Sequence, residues 1–457
     1  MTLIHEYFLF TLQIMFHHLN LFNLSLKLNG FPIRKAKNLL KEIQNKSDND
    51  FEVYIDTKKH EIIAYHLQHN SFYKEFSKGL NPLDWNTVPV ITKRDLQQPL
   101  SDRLSNGFAK KNVYINKTSG SSGDPFIFAK DKFCHALTWA VIMNRFGWYD
   151  LDFNSSKQAR FYGIPLDKKG YYIERFKDAL SNRYRFSVFN LSDDSFEKHL
   201  KKFETIKFDY INGYTSSIIQ FAKFLQKKNC VLKNICPSLK ACVVTSEMLF
   251  DIDKKLMETQ FRVPVVNEYG ASELDLIAFE NPNGKWQVNS ETLFVEILDE
   301  NNNVLPFGEE GRIVITSLYN KAHPFIRYDI GDIGALSKDS TLKKPILEKL
   351  VGRTNDITIL PSGKKAAGLT FYYITKSIIE DDGNVKEFVI EQLKLDTFKI
   401  IYASQKELSE EKIRRIAKEM ETYLEKGLTI FFERQDQLIR SKSGKLKQFS
   451  SYLNQNT

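Results

Sequence analysis

Between residues 112 and 267 short apolar runs alternate with helical patterns, and that alternation restricts the fold more than any other feature. Residues 112–115 and 126–129 read as strands, and a long helical pattern follows through Arg145. Residues 196–203 have helical spacing and 208–211 read as a short strand. Ser216 or Ser217 is placed to cap a helix with apolar positions Ile219, Ala222 and Leu225. Residues 239–245 form an apolar, buried strand, 256–261 a helix end and 263–267 a further strand. Strands that alternate with helices predict an α/β fold, with parallel sheets and helices on their faces.

The flanking regions differ. Residues 34–44 and 62–78 have helical spacing, and 80–93, with Pro82 and Pro89, read as a connector. From residue 293 the character turns to strands, at 293–298, 311–317 and 333–336, with turns at 301–303 and 307–310. This predicts a smaller β-rich subdomain. A boundary is expected near 352–356. Beyond it, strands at 388–391, 398–402 and 428–433 surround a helix capped by Ser409. Its apolar stripe is Ile413, Ile416, Ala417, Met420, Tyr423 and Leu424. A chain of 457 residues exceeds one ordinary core. The expected division is a helical extension over 1–63, a large domain over 64–352 and a small α/β lid over 353–457.

The net charge of +9 suits an anionic partner, but Lys and Arg are dispersed and no basic block stands out. A nucleic-acid partner is therefore not expected. Cys134, Cys230, Cys236 and Cys242 have no two-residue spacing of a zinc knuckle or redox motif, so buried thiols in a reducing compartment are expected. The apolar stretch over residues 1–28 is interrupted by Glu6, Gln13, His17, His18, Asn20 and Asn23. It is too broken to span a membrane and lacks a basic leader region. A cytoplasmic protein is expected, with the stretch packed on the body.

The residues that carry chemistry recur in a fixed order. Thr118, Ser119, Gly120, Ser121, Ser122 and Gly123 make a hydroxyl-rich glycine loop whose backbone N–H groups can approach an anion. No Gly-Lys-Ser/Thr follows, so it is not a Walker loop. Next come Thr245-Ser246-Glu247, Asn267-Glu268-Tyr269-Gly270-Ala271-Ser272-Glu273 and Arg327-Tyr328-Asp329-Ile330-Gly331-Asp332. Gly352-Arg353-Thr354-Asn355-Asp356 stands at the boundary, and Ser443-Gly444-Lys445 near the end. Alone, each piece has an ordinary reading: a flexible loop, a surface carboxylate at Glu273, a turn cap at Asp332, a solvated cation at Lys445.

Together, from about residue 64 to 447, they resemble the adenylate-forming superfamily, and more narrowly the phenylacetate–CoA ligase family and its capsular-polysaccharide branch. The stretches 69–73 and 315–328 resemble further family segments. The resemblance implies an AMP-forming carboxylate ligase that uses ATP and Mg²⁺ to make an acyl-AMP. The acyl group then passes to the thiol of coenzyme A, or to an amine or hydroxyl on a sugar. A catalytically degenerate relative that binds nucleotide or acyl groups is the alternative. Membrane-surface contact is left open for a lipid-linked acceptor.

By the same resemblance Thr118 to Gly123 hold the β- and γ-phosphates, and Glu273 binds Mg²⁺. Tyr269 stacks near adenine, with Ser246 and Glu247 on the adjoining wall and Gly270 and Ser272 in the same nucleotide-binding set. Asp332 accepts from the ribose hydroxyls, and Arg353 reaches ribose or phosphate. Lys445 bridges the attacking carboxylate and the α-phosphate, and Asn355 marks the hinge. The chain departs from the family pattern in two places: Asp124 follows the second loop glycine, and Asn355 stands where Asp is common. No cysteines lie between residues 341 and 350, so no metal is expected there.

Overall fold

The computed structural model describes residues 21–82, 84–118, 126–163, 168–353, 357–363, 365–367, 384–423, 425–440 and 446–453. The helices Leu21–Leu28, Ile33–Gln44 and Asp48–His69 lead the described chain. Asp48–His69 crosses residues 63 and 64, where the sequence suggests a boundary, and Ile62 and Ile63 are buried in the main core. The helical pattern expected over 62–78 divides at Asn70. Its side chain accepts from Tyr73 N at 2.8 Å and starts the helix Ser71–Phe76.

Strand β1 (Ile91–Thr92) precedes a hairpin of β2 (Val113–Lys117) and β3 (Ile127–Asp131), antiparallel with Lys117 opposite Ile127. The alternating region supplies β4 (Gln158–Phe161), β5 (Arg183–Phe186), β6 (Tyr210–Tyr214), β7 (Ala241–Thr245) and β8 (Val265–Ala271). With β9 (Asp275–Glu280) and β10 (Trp286–Val288) they make a sheet in the order β10-β9-β8-β7-β6-β4-β5. The pairings among β4 to β8 are parallel and those of β8, β9 and β10 antiparallel. The expected α/β architecture with a parallel sheet is what forms. β4 and β5 carry polar or charged residues in alternation, so they lack the continuous apolar run of a doubly buried strand.

One face of this sheet holds an aromatic core. Phe161 and Phe186 stack with centroids 4.9 Å apart, and Phe186 stacks on Phe203 at 5.4 Å. Phe208, Phe221 and Phe261 complete the ring cluster. Eight of the chain's 35 phenylalanines are buried here beside aliphatic residues. A Cβ at Gly213 would lie 2.3 Å from the Phe161 carbonyl oxygen, so the approach of β6 to β4 requires glycine. The other face is covered by the helix Lys132–Gly147, whose Leu137, Ala140 and Val141 pack on Val243 and Val266.

The second sheet is β11 (Leu293–Leu298), β12 (Gly311–Ser317), β13 (Tyr328–Leu336) and β14 (Leu347–Arg353), antiparallel in succession, with β1 parallel to β13 at the edge. A short pair, β15 (Ile357–Ile359) and β16 (Lys365–Ala367), follows. The last sheet, ordered β19-β18-β17-β20, is built from β17 (Val385–Lys394), β18 (Thr397–Ser404), β19 (Thr429–Gln435) and β20 (Phe449–Ser451). Its core of Phe388, Ile390, Phe398 and Ile400 receives Ile416 and Met420 from the helix Glu410–Tyr423, the stripe read from sequence. Among the described residues no helix is long and apolar enough to cross a membrane.

Candidate active site

The glycine loop leaves β2 and returns as β3. Thr118 N donates to the Phe126 carbonyl at 2.9 Å, and Phe126 N donates to Thr118 Oγ1 at 3.0 Å. This closes the neck of the loop. Ser119, Gly120, Ser121, Ser122 and Gly123 themselves, together with Asn355 and Lys445, lie outside the described residues. The return strand is fastened from below. Arg103, 1 % exposed, donates to the Ile127 carbonyl at 2.9 Å, and Asn320 Nδ2 donates to that of Ala129 at 2.9 Å. Arg103 also meets His323, and His66 Nε2 lies 2.9 Å from the Asn320 carbonyl. Burial pulls the His66 imidazole down to about 4, so it is neutral near pH 7 and adds no charge to this packing.

The turn from β8 to β9 carries Ser272 and Glu273. Gly270 enters this turn where a Cβ would meet the Asp275 carbonyl oxygen at 2.4 Å. Glu273 is buried at 6 % exposure and accepts from the Tyr328 hydroxyl at 3.0 Å. Tyr269 donates its hydroxyl to Asp332 Oδ2 at 2.6 Å. Two tyrosines thus tie the turn of the first sheet to β13 of the second, and bring Tyr269, Glu273 and Asp332 to one place. Asp332 is also opposite Arg353 in the β13–β14 ladder.

Lys130, on β3 just beyond the loop, pairs with Asp275 and so joins the loop hairpin to the Glu273 turn. Burial brings the Lys130 amine down to about 8, opposed by the nearby Cys134 and Glu273. Lys130, Asp275 and Tyr328 have no role that the sequence alone assigns. Tyr328 stands inside a quoted motif, and no spacing signal marks Lys130.

Ser246 is exposed and held at φ +72°, a left-handed conformation that turns the chain sharply after β7. Glu247, which follows, receives two backbone N–H groups. Its Oε2 accepts from Ser216 N at 2.7 Å and its Oε1 from Leu446 N at 2.9 Å. The helix Thr215–Lys227 has no side-chain cap of its own, and Ser216 and Ser217 are buried within it. The cap expected from a local serine is supplied by a carboxylate 31 residues away, which also suits the positive end of the helix. Arg440 Nη1 donates to Ser216 Oγ at 3.2 Å. The chain on both sides of residues 441–445 is therefore fastened at the end of β7.

Mg²⁺ is expected at Glu273. The carboxylate is buried, one oxygen takes a tyrosine hydroxyl, and no cluster of three or more metal-ligating side chains surrounds it among the described residues. A single carboxylate fits Mg²⁺, which keeps waters and substrate phosphates as its other ligands.

No protein-family model matches the chain. Protein CapK of Staphylococcus aureus is 25% identical over 340 residues, 71% of this chain and 70% of that protein. Phenylacetate-coenzyme A ligase of Aromatoleum evansii is 28% identical over 306 residues, 62% of this chain and 66% of that one. Among solved structures, 2-hydroxyisobutyryl-CoA ligase in its postadenylation state with 2-HIB-AMP superposes with a TM-score of 0.68 at 15% identity, over 89% of this chain and 90% of the other. The chain is similar in sequence to CapK and phenylacetate-coenzyme A ligase and shares the fold of the adenylate-forming ligase. In this chain Tyr269 bonds Asp332, and Glu273 bonds Tyr328 on the same strand as Asp332, so two separate bonds hold these residues against β13.

Proposed function

We propose that this protein uses ATP to activate a carboxylic acid as its acyl-AMP and then passes the acyl group to coenzyme A. The observation that carries the reading is the pair of tyrosine bonds that gathers Tyr269, Glu273 and Asp332 between two sheets. Asp332 receives the ribose hydroxyls, where a carboxylate makes charge-assisted bonds. Tyr269 flanks the base, with Gly270, Ser272 and Ser246 around it, and Arg353 reaches ribose or phosphate. The loop from Thr118 to Gly123 encloses the β- and γ-phosphates. Glu273 holds Mg²⁺, which when bound offsets the negative charge of the triphosphate.

Lys445 neutralises charge on the α-phosphate as the acid attacks. The support is indirect: its flanking residues Arg440 and Leu446 are bonded to Ser216 and Glu247 beside the end of β7. Residues 353–457 act as a lid hinged near Asn355, and the reaction runs in the cytoplasm. An amine or hydroxyl acceptor on a glycan is the second reading, resting on the CapK likeness alone.

The test is exchange of labelled pyrophosphate into ATP across a panel of acids. Acid-dependent exchange is expected. Lys445→Ala should lower it by about 10²–10³, the usual cost of losing one transition-state donor, while supplied acyl-AMP is still converted with coenzyme A. Full exchange in that variant, or equal loss of both steps in a folded protein, removes the role of Lys445.

A further inference from the structure

We infer that the acid taken by this site carries a second anionic group at its far end, bound at Arg160; this rests on the acyl-activating reading above. The starting point is an anomaly in the parallel sheet. Strands flanked by helices are ordinarily apolar on both faces. On the face under the helix Lys132–Gly147, Val243 and Val266 are apolar, but the next same-face positions are Thr245 and Glu268. By alternation Arg160 of β4 and Asn212 of β6 project on this face as well. These positions lie at the carboxyl ends of the strands, where open α/β sheets take their ligands.

Arg160 is the unusual member. Its Nε is buried without a hydrogen-bond partner. The guanidinium lies over the Tyr162 ring, 4.3 Å from its centroid. Glu268 feels the Arg160 charge but makes no ion pair with it among the described residues, and burial holds its carboxyl toward the neutral form; the acids on the other side are engaged elsewhere. Asp178 accepts from Arg183 at 2.5 Å and from Arg185 at 3.0 Å, and Glu174 accepts from Arg185 at 2.8 Å. Burial first, then the positive charges of Arg183 and Arg185, push its guanidinium below its ordinary range, partly opposed by Tyr162 and Asp178. A buried cation is costly unless an anion meets it. Among the described residues no carboxylate pairs with it, so the site is built for an anion that arrives with the substrate.

Glu268 gives the line along which that substrate lies. It immediately precedes Tyr269, whose hydroxyl bonds Asp332, so it adjoins the nucleotide end of the site. Thr245 donates to its carboxylate, and burial raises that carboxyl to about 7. The β8 and β4 backbones are separated by β7 and β6, three strand spacings or roughly 14 Å, and the Arg160 side chain reaches back far enough for its charge to act on Glu268. Arg160, Tyr162 and Glu268 each keep partial solvent contact. The polar strip thus runs from the nucleotide end to Arg160 and fits an extended acid with oxygen at both ends. A short or wholly apolar acid leaves the guanidinium unmet.

The experiment pairs diacids with monoacids of equal length: adipate with hexanoate, suberate with octanoate. Binding to the full chain is measured by calorimetry without ATP, and activation by pyrophosphate exchange. Charge-assisted bonds favour the diacid by roughly 10- to 100-fold. That ratio should fall by the same factor in Arg160→Leu, and in Arg160→Gln, which keeps a polar head without the charge if the leucine variant does not fold. Equal binding of diacid and monoacid by the unaltered chain overturns the inference. So does an unchanged ratio in the folded variants. Arg160-dependent diacid binding without any exchange supports this site and instead counts against acyl activation.

Discussion

The two faces of the seven-stranded sheet come from the same strands and share almost no chemistry. On one face Ala159, Phe161, Ile211, Val244 and Val265 meet a shell of rings, all within 7 % exposure. On the other, apolar cover ends at Val243 and Val266, and Arg160, Asn212, Thr245 and Glu268 follow. A side-chain period of two lets one strand serve both ends. On the inference drawn above, the difference teaches a division of labour: the aromatic face carries stability, and the polar face is left for recognition at some cost in stability.

Phe186→Ala is the strongest way to break that division. Phe186 is 1 % exposed and stacks on both Phe161 and Phe203. Truncation should cost about 3–5 kcal/mol of stability, seen as a lower denaturant midpoint. Acid preference in the remaining folded protein should not change. A shift in preference would mean that the ring face shapes the site too.

Asp332→Ala asks whether the polar face is distinct from the nucleotide end. Tyr269 leaves β8 on the side opposite Glu268 and bonds Asp332. Losing this carboxylate should weaken ATP binding by about 1.5–3 kcal/mol, with the ranking of acids unaltered. Titration of ATP at fixed acid measures the first quantity and an exchange panel the second. Unchanged ATP dependence removes Asp332 from the nucleotide site.

The same contrast explains what is legible in the sequence. Gly311–Ser317 coincides with the expected strand, and Ile416 and Met420 are buried on the expected stripe, because period and burial are local signals. β4 and β5 escape a reading by pattern because Gln158, Arg160, Arg183 and Arg185 break the apolar run, and the reason is the polar face itself. The order of motifs points to Tyr269, Glu273 and Asp332. It does not reveal the bonds that join them through Tyr328, since a residue 55 positions from its partner leaves no spacing signal. Nor does it reveal the partners of Glu247, Ser216 and Leu446, which are set by tertiary packing.

Glu268→Gln is the subtlest probe, and it measures what the polar face costs. Burial raises this carboxyl from 4.5 to about 7, while Thr245 and the Arg160 charge pull it partly back. In the unfolded chain the group ionises near 4.5, so between that pH and about 7 the folded protein holds the proton more tightly. Stability contributed by the proton is fully present below 4.5 and is lost as pH rises toward 7. A one-unit difference in pKa between folded and unfolded chain is worth about 1.4 kcal/mol, and less here because Glu268 keeps some solvent contact. Glutamine cannot ionise and preserves the shape, so the variant should lack this decline and be relatively more stable above pH 7. Melting temperatures of both proteins from pH 4 to 8 give the comparison. Curves that run parallel across the window would mean that Glu268 ionises as freely as an exposed carboxylate, and that the polar face is better hydrated than its surroundings imply.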